Sequence, residues 1–204
     1  MSRVVAFSVA VVVVVGVLAG CSAAAKEPVG LNASRSPSAT PTATATPKAG
    51  TGVVKELSDP ALGIVFEAVP AVHGDAADVY NWIATFEKED WRTTTTNQVS
   101  PMFSYMASAE VQTQAQSSVD NNLQKGNHFG GVIHERVGGI SIDGYTARGT
   151  SCEDYAKVTF ANAAKTSTPA EAGYGQPHLV ELTLARVSAE NGWKVMTIKE
   201  NGTC

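Results

Sequence analysis

The chain has 204 residues, a formal net charge of −4 and three cysteines. The mild acidity, with Lys and Arg scattered along the sequence, excludes a basic nucleic-acid-binding face, and the length allows one or two domains. An odd number of cysteines leaves one thiol over once any pair forms.

The N-terminus reads MSRVVAFSVAVVVVVGVLAGC. Arg3 is its only charge, and the apolar run Val4 to Leu18 suits the hydrophobic region of a signal peptide. It is shorter than the roughly 20 residues a bilayer span needs. The four residues Leu18-Ala19-Gly20-Cys21 resemble the lipobox of bacterial lipoproteins, an aliphatic residue and two small ones before a cysteine. By this resemblance residues 1–20 are a lipoprotein signal peptide. The Cys21 thiol receives diacylglycerol, the chain is cut before Cys21, and the mature protein is lipid-anchored on the extracytoplasmic face of the cell membrane. Two acyl chains anchor stably where one is marginal, at about 0.8 kcal/mol per buried methylene. The alternatives are an ordinary signal peptide cut near Ser22 to Lys26, or an uncleaved anchor.

Residues 21–52 follow as a lipidated cysteine and a tether. The segment SPSATPTATATP is nearly all Ser, Thr, Pro and Ala, and no aromatic residue occurs between Ser22 and Gly52. Such a stretch buries too little apolar surface to offset its ordering entropy and is expected to stay disordered. Its physical job is to hold a domain away from a membrane. The Ser/Thr/Pro composition also resembles O-glycosylated stalks. The linker and the Ala/Val-rich signal together resemble those of actinobacterial lipoproteins.

Residues 53–204 have the length of a single domain, with a core from about Asp75. The lead-in Val53 to Gly74, broken by Pro60 and Pro70, predicts irregular chain with one short strand. Asp75 to Trp91 predicts a helix with Asp75 as N-cap and an apolar stripe of Val79, Ile83 and Phe86. A short helix follows, with Ser100 as N-cap and Pro101 at its first position. A surface helix carries Val111, Ala115, Val119 and Leu123 at four-residue spacing and stops at Gly126. Strands are expected around FGGVIHERVGG, over GYTARGTSCEDYAKVTFANA with a bend near SCED, over PHLVELTLARVSA, and over WKVMTIKE after an Asn191-Gly192 hairpin turn. The stretch AKTSTPAEAGYGQ reads as a polar loop. The expected fold is α+β, with N-terminal helices packed on a curved antiparallel sheet of about four strands.

Helices followed by long strands, TSCEDY in a middle strand, a terminal NGWKV strand and a last cysteine in NGTC resemble the NTF2-like (SnoaL-like, cystatin-like) domains, in particular small secreted and lipid-anchored ones. The resemblance covers about Asp75 to Cys204. It implies a cone whose open end often forms a pocket. Some relatives are isomerases, dehydratases or epoxide hydrolases that use Asp, Tyr, His or Arg on the inner sheet face.

With Cys21 used for lipid, and outside the cytoplasm, Cys152 and Cys204 are expected to pair. A metal site or a reactive thiol is the alternative for them, but neither has a CxxC partner or a histidine at ligand spacing. His128 and His134 are six residues apart, which suits neither a helix nor a strand metal pair. No metal and no cofactor are expected, and no phosphate loop, GxSxG or nucleotide fingerprint occurs. In a strand His134 and Arg136 share one face and Glu135 takes the other. Tyr80, Tyr105, His134 and Arg136 are pocket candidates, and Glu135, Asp154 and Glu181 are further ones by residue type. No spacing among them forms a catalytic motif. The expected function is a membrane-anchored, non-enzymatic binding or accessory module. The alternatives are an NTF2-like enzyme on a small hydrophobic substrate, and a protein–protein interaction or homodimerisation domain. The expected partners are the membrane, through diacylglyceryl-cysteine, and an unidentified protein or small hydrophobic ligand; nucleic acid is not one of them.

Overall fold

The computed structural model describes residues 51–187 and 192–204. The signal peptide, Cys21, the tether as far as residue 50 and Asn191 lie outside the described residues. In chain order the elements are β1 (Ile64–Phe66), α1 (Asp75–Thr96), α2 (Phe103–Met106), α3 (Ala109–Lys125), β2 (His128–Asp143), β3 (Thr146–Ala161), β4 (Thr166–Ser167), β5 (His178–Arg186) and β6 (Trp193–Thr203). The domain is α+β.

The sheet is mixed rather than antiparallel throughout. Its strand order is β1-β2-β3-β5-β6, with β4 paired to β3. β2, β3, β5 and β6 form the expected antiparallel meander, but β1 precedes the helices and joins the edge of β2 in parallel. A parallel neighbour needs a crossover connection, and the three helices supply it. Among the described residues no helix is long and apolar enough to cross a membrane.

α1 runs five residues beyond Trp91, through four threonines. β-Branched residues favour helix weakly, but here Thr93, Thr95 and Thr96 donate their hydroxyls to the carbonyls of Glu89, Trp91 and Arg92 at 2.7–2.9 Å. The helix stops at Asn97 in the left-handed conformation. At its other end Gly74, not Asp75, is the N-cap. Asp75 lies in the first turn, where negative charge suits the helix dipole, and its carboxylate meets Arg186 of β5 at 2.8 Å. The Arg186 guanidinium also stacks over Trp193, so the start of α1 is tied to the last two long strands.

Ser100 organises the turn into α2, its hydroxyl accepting from the Met102 amide. Ser108 caps α3, accepting from Val111 N–H, and donates to the carbonyl of Met196 on β6. Val111, Ala115 and Val119 of α3 are buried as the spacing predicts, whereas Leu123 in its last turn is exposed. Gly126 ends α3 in the left-handed conformation.

Two of the register shifts in the sheet lie between β2 and β3. Between Val132/Lys157 and His134/Asp154 the β3 side carries one residue more than β2. The bulge therefore falls at Tyr155–Ala156, just past the expected bend. It switches the strand's alternation: Ala147, Gly149, Ser151, Glu153 and Tyr155 face the helices before it, and Val158 and Phe160 after it. Between Gly138/Thr150 and Ser141/Arg148 the extra residue is on β2. Gly149 lets α1 approach, since a Cβ there would run into Ile83 Cδ1. On β5 the inward set is Val180, Leu182 and Leu184, as the alternation predicts.

Cys152 and Cys204 form a disulfide across a sequence separation of 52. Cys152 points to the face opposite Ser151, so the bridge passes over β5 on the side away from the helices. In the chain-entropy picture closing such a loop is worth about 4 kcal/mol. The double variant Cys152→Ser/Cys204→Ser is therefore expected to unfold at a lower urea midpoint, by roughly that free energy. An unchanged midpoint would show that the bridge does not hold the fold.

Candidate functional site

The core between α1 and the sheet is apolar at one end and acidic at the other. Val79, Tyr80, Ile83 and Ala84 of α1 pack on Val137, Ala147 and Leu184. One and two turns further on, the same face of α1 presents Glu87 and Asp90. Across from them Glu135 of β2 and Glu153 of β3 are direct register partners, so both carboxyls project from the same face of the sheet. Like charges directly opposite each other on a sheet are destabilising, and no Lys or Arg stands between them to compensate.

The acidic end borders a cavity of about 430 Å³. Glu87, Asp90 and Thr94 line it from α1, Gln114, Ser118, Asn121 and Asn122 from α3, and Glu153 and Tyr155 from β3. Phe86, Phe103, Phe129, Val180 and Ile198 make its apolar wall, and Tyr174 and Glu200 complete it. Glu200 is exposed and marks the mouth. Tyr174, from the segment expected to be a polar loop, stacks on Phe160 at 5.0 Å and lies 4.5 Å from Tyr155 between ring centres. His178, opposite Glu153 on β5, packs against both tyrosine rings.

Burial pushes all four inner carboxyls up, because the charged form loses its hydration. Glu87 and Glu135 stand well above the ordinary carboxylate range, Glu87 raised further by Glu135 and Glu153, and Glu135 by Glu153 and Asp90. The Ser151 hydroxyl donates to Glu135 at 3.1 Å and opposes part of that rise. Asp90 is pushed up to about 6 by burial alone. Glu153 is pushed up to about 7 by burial, against the pull of Tyr155, whose hydroxyl donates to it at 2.7 Å. The Tyr155 phenol is in turn raised, first by burial and then by the Glu153 charge. Asp90 and Glu153 are half-buried and line the cavity. Glu87 is 4% exposed, and its Oε1 is a buried acceptor with no hydrogen-bond partner.

None of the four pocket candidates lines this cavity. Tyr80 is buried in the apolar core and Tyr105 is 53% exposed, its ring 5.6 Å from Trp82. His134 and Arg136 do share a face, but it is the one turned away from the helices. There His134 Nδ1 lies 2.7 Å from Glu67, and Arg136 Nη2 lies 3.4 Å from the Cys152 sulfur. Their neighbour Glu135 takes the inner face and is 2% exposed. Asp154, alternating with Glu153, also points outward. Among the described residues no group of three or more His, Cys, Asp or Glu side chains is arranged to hold a metal ion. The inner acids had a signal in the sequence. Glu87 sits on the apolar stripe of α1, and Glu135 sits between Ile133 and Val137, where alternation calls for a hydrophobe.

No family model and no curated protein matches this chain. Among solved structures, it is similar to the intermembrane space region of the chloroplast protein ARC6. The match has a TM-score of 0.48 and 12% sequence identity, and covers 66% of this chain and 100% of that one.

The raised carboxyls carry a stability consequence. Their folded-state pKa lies above the unfolded value, so the native state holds more protons and stability falls as pH rises through the folded pKa. For Asp90 and Glu153 that window runs from about pH 4 to about pH 7. The melting temperature is expected to drop by roughly 5–10 °C between pH 5 and pH 8, a loss of about 2–3 kcal/mol. Asp90→Asn/Glu153→Gln should flatten the profile, checked by differential scanning calorimetry.

Proposed function

We propose that this protein is a lipid-anchored extracytoplasmic module. In this reading its C-terminal domain, an NTF2-like cone, takes a small ligand into the cavity between α1, α3 and the sheet without transforming it. The observation that carries the binding role is the cavity itself. It is large enough for a small organic molecule, half apolar and half polar, and bordered by a buried carboxyl oxygen whose partner is missing. The helices on one face of a bulged sheet are in keeping with an NTF2-like domain, and the disulfide is in keeping with an oxidising compartment. The lipobox and the tether supply the anchor and the spacer.

A second reading, an acid–base enzyme on a small hydrophobic substrate, is favoured by one pair. Glu153, raised to about 7 and bonded to Tyr155, has the affinity for protons that general acid–base chemistry needs. Exposing the protein to a small-molecule extract of its own cells separates the two readings. A binding module returns its ligand unchanged on denaturation; an enzyme returns a product, and Glu153→Gln abolishes the conversion.

The anchor has its own test. Wild-type protein should fractionate with membranes and show a diacylglyceryl mass on the peptide that begins at Cys21. Cys21→Ala should appear in the soluble fraction. Retention of Cys21→Ala in the membrane would overturn the lipoprotein reading.

A further inference from the structure

Among the described residues no Lys, Arg or His lines the cavity, although four acidic residues do. Glu87 and Asp90 reach it from α1, Glu153 from β3 and Glu200 from β6, with Glu135 of β2 buried beside them. The other titratable groups facing this space are the phenols of Tyr155 and Tyr174 and, behind the rings, His178 of β5. Each carboxyl that has a protein partner receives a neutral hydroxyl: Glu135 from Ser151 and Glu153 from Tyr155. Glu87 lines the cavity, and its buried Oε1 has no hydrogen-bond partner among the described residues. A buried carboxyl oxygen in that position calls for a donor, and a site dense in acids favours a donor that carries positive charge. The apolar part of the lining, with Phe86, Phe103, Phe129 and Val180, calls for an apolar body beside that charge. The aromatic rings further favour a cation near their faces.

We infer that the cavity binds an organic ammonium compound, a primary or secondary amine with an apolar body, whose N–H groups donate to Glu87 and Asp90. The inference rests on the cavity being a ligand site, as proposed above. The N–H requirement separates it from simple charge attraction, because a quaternary ammonium offers charge but nothing to the orphaned oxygen. A metal ion does not meet it, since the acids are not grouped as ligands.

The experiment is isothermal titration calorimetry on the full chain in detergent at pH 8. Three probes share one skeleton: 3-phenylpropylamine, its trimethylammonium derivative and neutral 3-phenylpropan-1-ol. The amine is expected to bind at least tenfold tighter than either analogue. Its affinity should fall at least tenfold at pH 5, where the cavity acids are protonated, and Glu87→Gln should lose at least tenfold at pH 8. Asp90→Asn is the second variant should Glu87→Gln fail to fold. Asp120→Asn, on the exposed side of α3, should bind as wild type. Binding of the alcohol within threefold of the amine would overturn the ammonium assignment and leave a ligand cavity standing. So would full affinity in the Glu87 and Asp90 variants. If none of the probes binds at millimolar concentration, the ligand-site reading falls as well.

Discussion

One extra residue in β3 determines where the chemistry of this domain lies. A strand of 16 residues that alternated without interruption would present one set of side chains to the helices along its whole length. The bulge at Tyr155–Ala156 breaks that set in two. Before it, Ser151, Glu153 and Tyr155 face inward; after it, Val158 and Phe160 do. Were the same residues paired with no bulge, an inward Phe160 would leave Glu153 and Tyr155 facing outward and bring Cys152 inward. The acidic end of the core would lose its sheet side, and the cysteine could not reach over β5 to the chain end. The cavity, the paired carboxyls and the disulfide thus depend on a single local irregularity.

The acids are a conflict with the fold that the fold tolerates. Position 87 on α1 belongs to the apolar stripe, and position 135 on β2 lies between two buried hydrophobes. A Leu at either place would pack with no hydration cost. Buried carboxyls stay tolerable by remaining protonated or by gaining a partner. The Ser151 and Tyr155 hydroxyls are such partners, arranged on the sheet before any ligand arrives, and Glu87 is the member left without one. Local violation of an otherwise consistent pattern is where function is expected in a foldable sequence.

Much of the architecture was legible. The spacing of Val111, Ala115 and Val119 reveals α3, the alternation of Val180, Leu182 and Leu184 reveals β5, and cysteine arithmetic points to the Cys152–Cys204 pair. The parallel β1 was not, because three residues carry no trace of the strand they join. The threonine-rich end of α1 was not, because propensity speaks against it and the hydroxyl-to-carbonyl bonds that sustain it appear only once the helix exists. The site was legible in part. Alternation correctly put His134 and Arg136 on one face and Glu135 on the other. Which face is the inner one was signalled by Ile133 and Val137 on either side of Glu135, and choosing His134 and Arg136 as pocket candidates passed over that signal. Tyr174 offered no signal at all, being an aromatic in a polar loop that folds back onto Phe160.

The disulfide also makes the two sides of the cavity unequal. On one side β6 is fastened to β3 by a covalent bond that spans the strand between them, so the sheet wall cannot peel away while the bridge is intact. On the other side α3 is held by a row of small and medium side chains and by the hydrogen bonds of Ser108 to β6. Separating α3 from the sheet costs only packing and a few polar contacts; separating β6 from β3 costs a chemical bond. Any widening of the cavity mouth therefore falls to the helix, and the sheet is the fixed side of the cavity.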